Sequence, residues 1–125
     1  MKPRENLVRL KQFKVNEKRR QLNQLDVMIA EFERMANELD VQIAAEERKA
    51  GITDVNHFAY PTFAKAARLR RDNLKNSQSD LVAQREAAET QLAEAEAELA
   101  KAEMLESRDL RQREPEVAPR SAMIG

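Results

Sequence analysis

Residues 22–43 read LNQLDVMIAEFERMANELDVQI, with apolar members at Leu22, Leu25, Ile29, Phe32, Ala36, Leu39 and Ile43. The steps alternate three and four. That spacing holds the apolar side chains on one stripe of a helix, the seam by which two helices pack as a coiled coil. Carried forward, the seam meets Ala50. Carried backward, it meets Val15 and Val8, but also Lys11 and Lys18, while Leu7, Leu10 and Phe13 fall off it. A drift of the repeat near residue 14 is therefore expected.

The ends of this first helix are marked, and it should run from about 4 to 50. Pro3 suits a first-turn position, and Glu5 favours the positive end of the helix dipole. Arg48 and Lys49 favour the negative end, and Gly51 can take the left-handed conformation that closes a helix. A helix of that length spans about 70 Å. Residues 51–61 form the connection, in which Thr53, Asp54 and Asn56 are turn and cap formers. Asp54 is expected to start a short turn of helix, Pro61 is tolerable at the first position of a helix, and a second helix should run over about 62–113.

That second helix repeats every seven residues. One set is Ala67, Leu74, Leu81, Ala88, Ala95 and Ala102. The other is Arg71, Gln78, Arg85, Leu92 and Leu99. Its first half is polar, and alanines bury little area, so the second seam is weak. Residues 114–125 hold Pro115 and Pro119 and no periodicity, and read as a disordered tail.

Charge selects between a hairpin and two parallel chains. Segment 1–26 holds eight Lys/Arg against three Asp/Glu, and segment 85–109 holds three against eight. Segment 31–49 holds three against six, and segment 61–80 holds five against two. Folding the chain about residue 55 lays opposite signs side by side in both pairs. A parallel, in-register pair of chains would set each segment against its own copy. Each exposed pair contributes only ~0.2–1 kcal/mol, but together they disfavour the parallel arrangement. The expected fold is all-α: two long helices forming an antiparallel coiled-coil hairpin over 1–113. Because its ends rest on alanine and charge, amide exchange should be fastest before Phe13 and beyond Leu105.

Composition narrows the function. The chain has 125 residues, enough for one domain, of which 35% are charged and 4% aromatic. The net charge is zero, which gives no general electrostatic case for nucleic acid or an anionic membrane. No stretch approaches the ~18 apolar residues of a membrane span, and the N-terminus leads into no apolar run of a secretory signal. There is no cysteine, in keeping with a reducing compartment. His57 is the single histidine, so no metal set or nucleophilic triad can be assembled around it. It reads as a solvated turn residue. Gly51 stands alone, which precludes a glycine-rich phosphate loop. Glutamates such as Glu46, Glu47, Glu94, Glu96 and Glu98 read as a solvated face. No catalytic, metal or cofactor residue is expected, and the chain reads as a protein that binds other proteins.

Two features point to binding. The basic stretch Arg9, Lys11, Lys14, Lys18, Arg19 and Arg20 could meet phosphates, but it lacks interleaved aromatics, and the acidic opposite arm already accounts for it. Three of the five aromatics, Phe58, Tyr60 and Phe63, cluster at the bend. Such residues serve as binding anchors, and equally as a plug for the open end of a coiled coil.

The pair Leu7 and Leu10, Glu17, the heptad helix and the bend carrying Tyr60 and Phe63 together resemble the flagellar export protein FliJ family. The run Asn56-His57-Phe58-Ala59-Tyr60-Pro61-Thr62-Phe63-Ala64-Lys65-Ala66 is especially similar to alphaproteobacterial members. The resemblance covers roughly residues 5–110. It implies a stalk-like coiled coil of the flagellar type III export apparatus, cytoplasmic and peripheral to the inner face of the membrane. Its expected partners are the hexameric export ATPase, the membrane export gate and export chaperones. The end bearing Leu7, Leu10, Lys11, Lys14 and Lys18 would enter the ATPase ring, and the bend with Phe58, Tyr60 and Phe63 would face another partner. Family members often carry tyrosines near the bend end of the first helix, where this chain has Ala45 and Lys49. The alternatives are an injectisome stalk or a general adaptor or chaperone-like coiled coil, and then a nucleic-acid-binding coiled coil.

Overall fold

The computed structural model describes residues 3–113. Within them, α1 spans Pro3–Ala50 and α2 spans Thr62–Arg113, with no strand. The expected disordered tail, 114–125, lies outside the described residues. Helix-forming residues fill both elements, and the breakers stand at their edges. Gly51 adopts a φ of 69°, and its N–H donates to the Glu47 carbonyl at 2.8 Å. Ile52 N–H donates to the same oxygen at 3.3 Å, so the end of α1 is closed by its own backbone.

The bend contains turns and no helix, which corrects the expectation at Asp54. The Asp54 carbonyl accepts the His57 N–H at 3.1 Å, and the His57 carbonyl accepts the Tyr60 N–H at 3.0 Å. Asp54 Oδ1 takes the Asn56 N–H at 3.0 Å, so the aspartate side chain stabilises a turn and does not start a helix. Pro61 directly precedes α2, and its carbonyl accepts the Lys65 N–H at 3.0 Å, a role that needs no N–H of its own.

The helices form two compact units. One unit is Met1–Gln21 with Ala88–Gly125, and the other is Leu22–Ala87. In the first, Lys11 pairs with Glu98 at 2.8 Å and Lys18 Nζ donates to Gln91 Oε1 at 2.9 Å. In the second, Asp26 pairs with Arg85, Asp40 with Arg71 at 2.9 Å, and Glu47 with Arg68 at 2.9 Å. Numbers rise along α1 as they fall along α2, so within each unit the helices run antiparallel.

The Leu22–Ala87 unit has the larger core. Leu39, Ile43 and Ala67 are buried together, with Leu74 packed against them. Polar residues occupy the α2 seam here, and each has a partner. Arg71 and Arg85 reach Asp40 and Asp26, and Gln78 Nε2 donates to the Ile29 carbonyl at 3.3 Å.

In the other unit the core is Val15 with Ala88, Ala95 and Ala102. The expected drift near residue 14 does not occur. Val8 and Lys11 are half-buried, Val15 is fully buried, and Lys18 and Leu22 are half-buried, so the three-four spacing continues along α1. Leu10 and Phe13 are more than half exposed. The physical reason is the opposite helix: alanines leave room for lysine stems along the seam, while the ammonium groups reach polar partners at its edge.

Candidate partner-binding site

The bend divides its three aromatics. Tyr60 is turned inward and only 7% exposed, whereas Phe58 is 97% exposed and Phe63 56%. Tyr60 OH donates to Glu47 Oε2 at 2.8 Å and accepts from Arg68 Nε at 2.8 Å. Arg68 Nη2 also donates to Glu47 Oε2 at 2.9 Å, which closes a three-membered polar clamp between the end of α1 and the start of α2. The Arg68 guanidinium lies 5.8 Å from the Tyr60 ring centre. Tyr60 is therefore the plug at the open end of the helix pair, and Phe58 and Phe63 are the residues presented outward.

Phe58 packs on its neighbour His57, with ring centres 4.8 Å apart. His57 Nδ1 accepts the Ala59 N–H at 3.0 Å. The histidine thus helps to hold the turn that presents Phe58.

The clamp makes stability depend on acidity. Arg68, and after it the Tyr60 hydroxyl, hydrogen-bonds the Glu47 carboxylate and holds it below its ordinary value of 4.5. Lys11 does the same for Glu98 in the other unit. A depressed carboxylate adds stability that is fully present above the unfolded value and is lost as pH falls through the folded one. The thermal midpoint should hold from about pH 7 to about pH 5.5 and drop below about pH 4.5. Glu47→Gln should flatten part of that drop, which a melting series across pH measures.

At the terminal end, Leu7 is half-buried, and Leu10 and Lys14 are exposed. Lys11 and Lys18 are seam residues already engaged with Glu98 and Gln91. Arg19 lies 3.7 Å from Glu96. The structure thus leaves Leu10 and Lys14 outward, and commits Lys11 and Lys18 to the opposite arm. Arg68 was not among the residues singled out from sequence. Glu47, expected on a solvated face, is instead half-buried, because Tyr60 and Arg68 close over its carboxylate.

Among the described residues, no three of His, Cys, Asp and Glu come together to hold a metal ion. No helix among them is long and apolar enough to cross a membrane. No family model matches this chain, and no curated protein or solved structure matches it either.

Proposed function

We propose that this chain is a stalk-like component of a bacterial flagellar type III protein export apparatus, acting by binding and without chemistry of its own. In this reading the end bearing the termini enters the hexameric export ATPase ring and promotes its assembly. The bend meets a second partner, the membrane export gate or an export chaperone. The protein would work in the cytoplasm, at the inner face of the membrane.

The observation that carries the reading is the bend. The run from Asn56 to Ala66, on which the family resemblance chiefly rests, presents Phe58 and Phe63 outward while Tyr60 ties the turn together from within. Large exposed aromatics on a held turn are suited to anchor a partner. At the other end, Leu10 and Lys14 face outward on a basic arm beside an acidic one, which suits contact with charged loops. Ala45 and Lys49 replace the tyrosines that relatives often carry, so gate contact would fall to Phe58 and Phe63.

The test is binding to, and stimulation of, the export ATPase encoded in the same organism. Purified protein that neither binds nor stimulates that ATPase overturns the proposal. Phe58→Ala and Phe63→Ala should leave the melting temperature within experimental error, because both side chains are largely exposed. They should abolish capture of the gate or chaperone while sparing ATPase binding. Equal loss of both interactions would remove the bend from its assigned role.

A further inference from the structure

The bend repeats one unit with a change of acceptor. Asp54 accepts twice: its carbonyl takes the His57 N–H at 3.1 Å, and its Oδ1 takes the Asn56 N–H at 3.0 Å. His57 does the same three residues on. Its carbonyl takes the Tyr60 N–H at 3.0 Å, and its Nδ1 takes the Ala59 N–H at 3.0 Å. Each turn is closed by its first residue, through the backbone to the third residue on and through the side chain to the second. The first is an ordinary aspartate turn. In the second, an imidazole stands where the first has a carboxylate.

The exchange matters because of what the second turn carries. Phe58 lies between His57 and Ala59, is 97% exposed, and stacks on the imidazole with ring centres 4.8 Å apart. Tyr60, at the far end of the turn, is fixed by Glu47 and Arg68. The imidazole bond to Ala59 therefore holds the segment between the two ends of the turn.

We infer that the His57–Tyr60 turn is a proton-operated latch on Phe58, closed while the imidazole is neutral and loosened when it is protonated. A protonated imidazole carries hydrogen on both nitrogens and accepts nothing, whichever way the ring turns. The Ala59 N–H then meets a donor and turns to water. His57 is the single histidine, and imidazole is the side chain whose charge changes between about pH 5 and about pH 8. At the adjoining helix ends Glu46 is engaged with Lys49, and Glu47 with Arg68 and Tyr60, while within the bend Asp54 is engaged with Asn56. Arg48 and Lys65 are the other charges there, and none of these groups bonds the imidazole. A protonated ring is drawn to the face of Phe58. That attraction moves with the ring and gives Ala59 no acceptor, so it does not close the latch. The loss is one exposed hydrogen bond, about two- to tenfold in the population of the closed turn. The backbone bond to Tyr60 and the clamp remain, so the helices are undisturbed.

The latch itself is independent of the export reading. Its bearing on partner capture rests on that reading, which assigns Phe58 to a second partner.

The test is nuclear magnetic resonance of the full-length chain from about pH 8 to about pH 5.5. The Ala59 amide should shift in one transition together with the His57 ring protons, and its protection from exchange should fall about two- to tenfold. The Asn56 amide, bonded to a carboxylate, should keep its protection over that range. His57→Asn should abolish the response and leave the turn closed, because asparagine makes the same bond to the second residue on with an oxygen that does not titrate. His57→Phe keeps a ring beside Phe58 without an acceptor, and should leave the turn loosened at every pH. His57 is exposed, so unchanged circular dichroism is expected of both variants. An Ala59 amide whose protection ignores pH overturns the inference. So does one that responds equally in the His57→Asn chain, or native protection in the His57→Phe chain. A chain that binds no export partner would leave these outcomes as they are, so the two readings fail separately.

Discussion

Replacing Arg71, Gln78 and Arg85 together by leucine raises the thermal midpoint by about 10 °C. These three residues sit half-buried at successive positions of the α2 seam, where apolar groups would bury more area. Three leucines there add about 3 kcal/mol at ~25 cal/mol per Å². Against this, the ion pairs to Asp26 and Asp40 are lost. Both aspartates stay 45% and 41% exposed and remain solvated, so each pair contributes only ~0.2–1 kcal/mol. Helix propensity hardly changes, since Leu, Arg and Gln rank together. The net gain is about 2 kcal/mol, and about 3–6 °C accompanies each kcal/mol in a chain of this size. The gain has a cost in uniqueness. Arg71 and Arg85 must stay level with Asp40 and Asp26, which fixes the register, and an all-apolar seam accepts a slip of one heptad. Spin labels on the two helices should show one distance in the native chain and several in the variant. A fall in the midpoint would mean that the arginines stabilise the hairpin itself and do more than set its register.

Ile43→Ala should have the opposite and comparably large effect, a loss of about 2–4 kcal/mol. Ile43 is buried in the cluster with Leu39, Ala67 and Leu74, and its removal leaves a void that rigid helices cannot close. Its near neighbour Val41 is 70% exposed, and Val41→Ala should stay within about 0.5 kcal/mol. Alanine's better helix propensity offsets the little packing lost. The contrast between residues two apart is diagnostic: on a strand they would share a face, whereas on a helix they stand nearly opposite. Chemical unfolding of both variants measures it, and equal losses would contradict the packing described.

The seam residues Leu22 to Ile43 and the α2 set from Ala67 to Ala102 were readable from spacing because helical geometry is local and repeats. Gly51 marked the end of α1 for a similar reason, since few other residues take a left-handed φ. The seam through Lys11 and Lys18 was misread as a drift. Lysine was counted as polar at those positions, but what decides is the size of the residue opposite, and Ala95 and Ala102 belong to a distant part of the chain. Asp54 was misread because an aspartate starts a turn and a helix with the same hydrogen bond, and only the path of the following residues separates the two. At the candidate site, the clustering of Phe58, Tyr60 and Phe63 was visible and their directions were not. No period governs a bend, so which ring goes inward depends on Glu47 and Arg68 arriving together from two helices.

The sequence by itself determined that the chain is two helices, where they end, and that opposite charges on its arms favour antiparallel pairing. Those properties follow from local backbone preference and from signs of charge, which need no coordinates. The tertiary structure alone decided that Tyr60 is a clamp while Phe58 and Phe63 face outward, that lysines remain in the seam, and that Asp26, Asp40 and Glu47 meet Arg85, Arg71 and Arg68 along one flank of the Leu22–Ala87 unit. Each of these depends on which side chains from distant positions meet at one level. Arg71 and Arg85 could lean to either side of the seam, and it is the placement of Asp40 and Asp26 beside them that sets the direction.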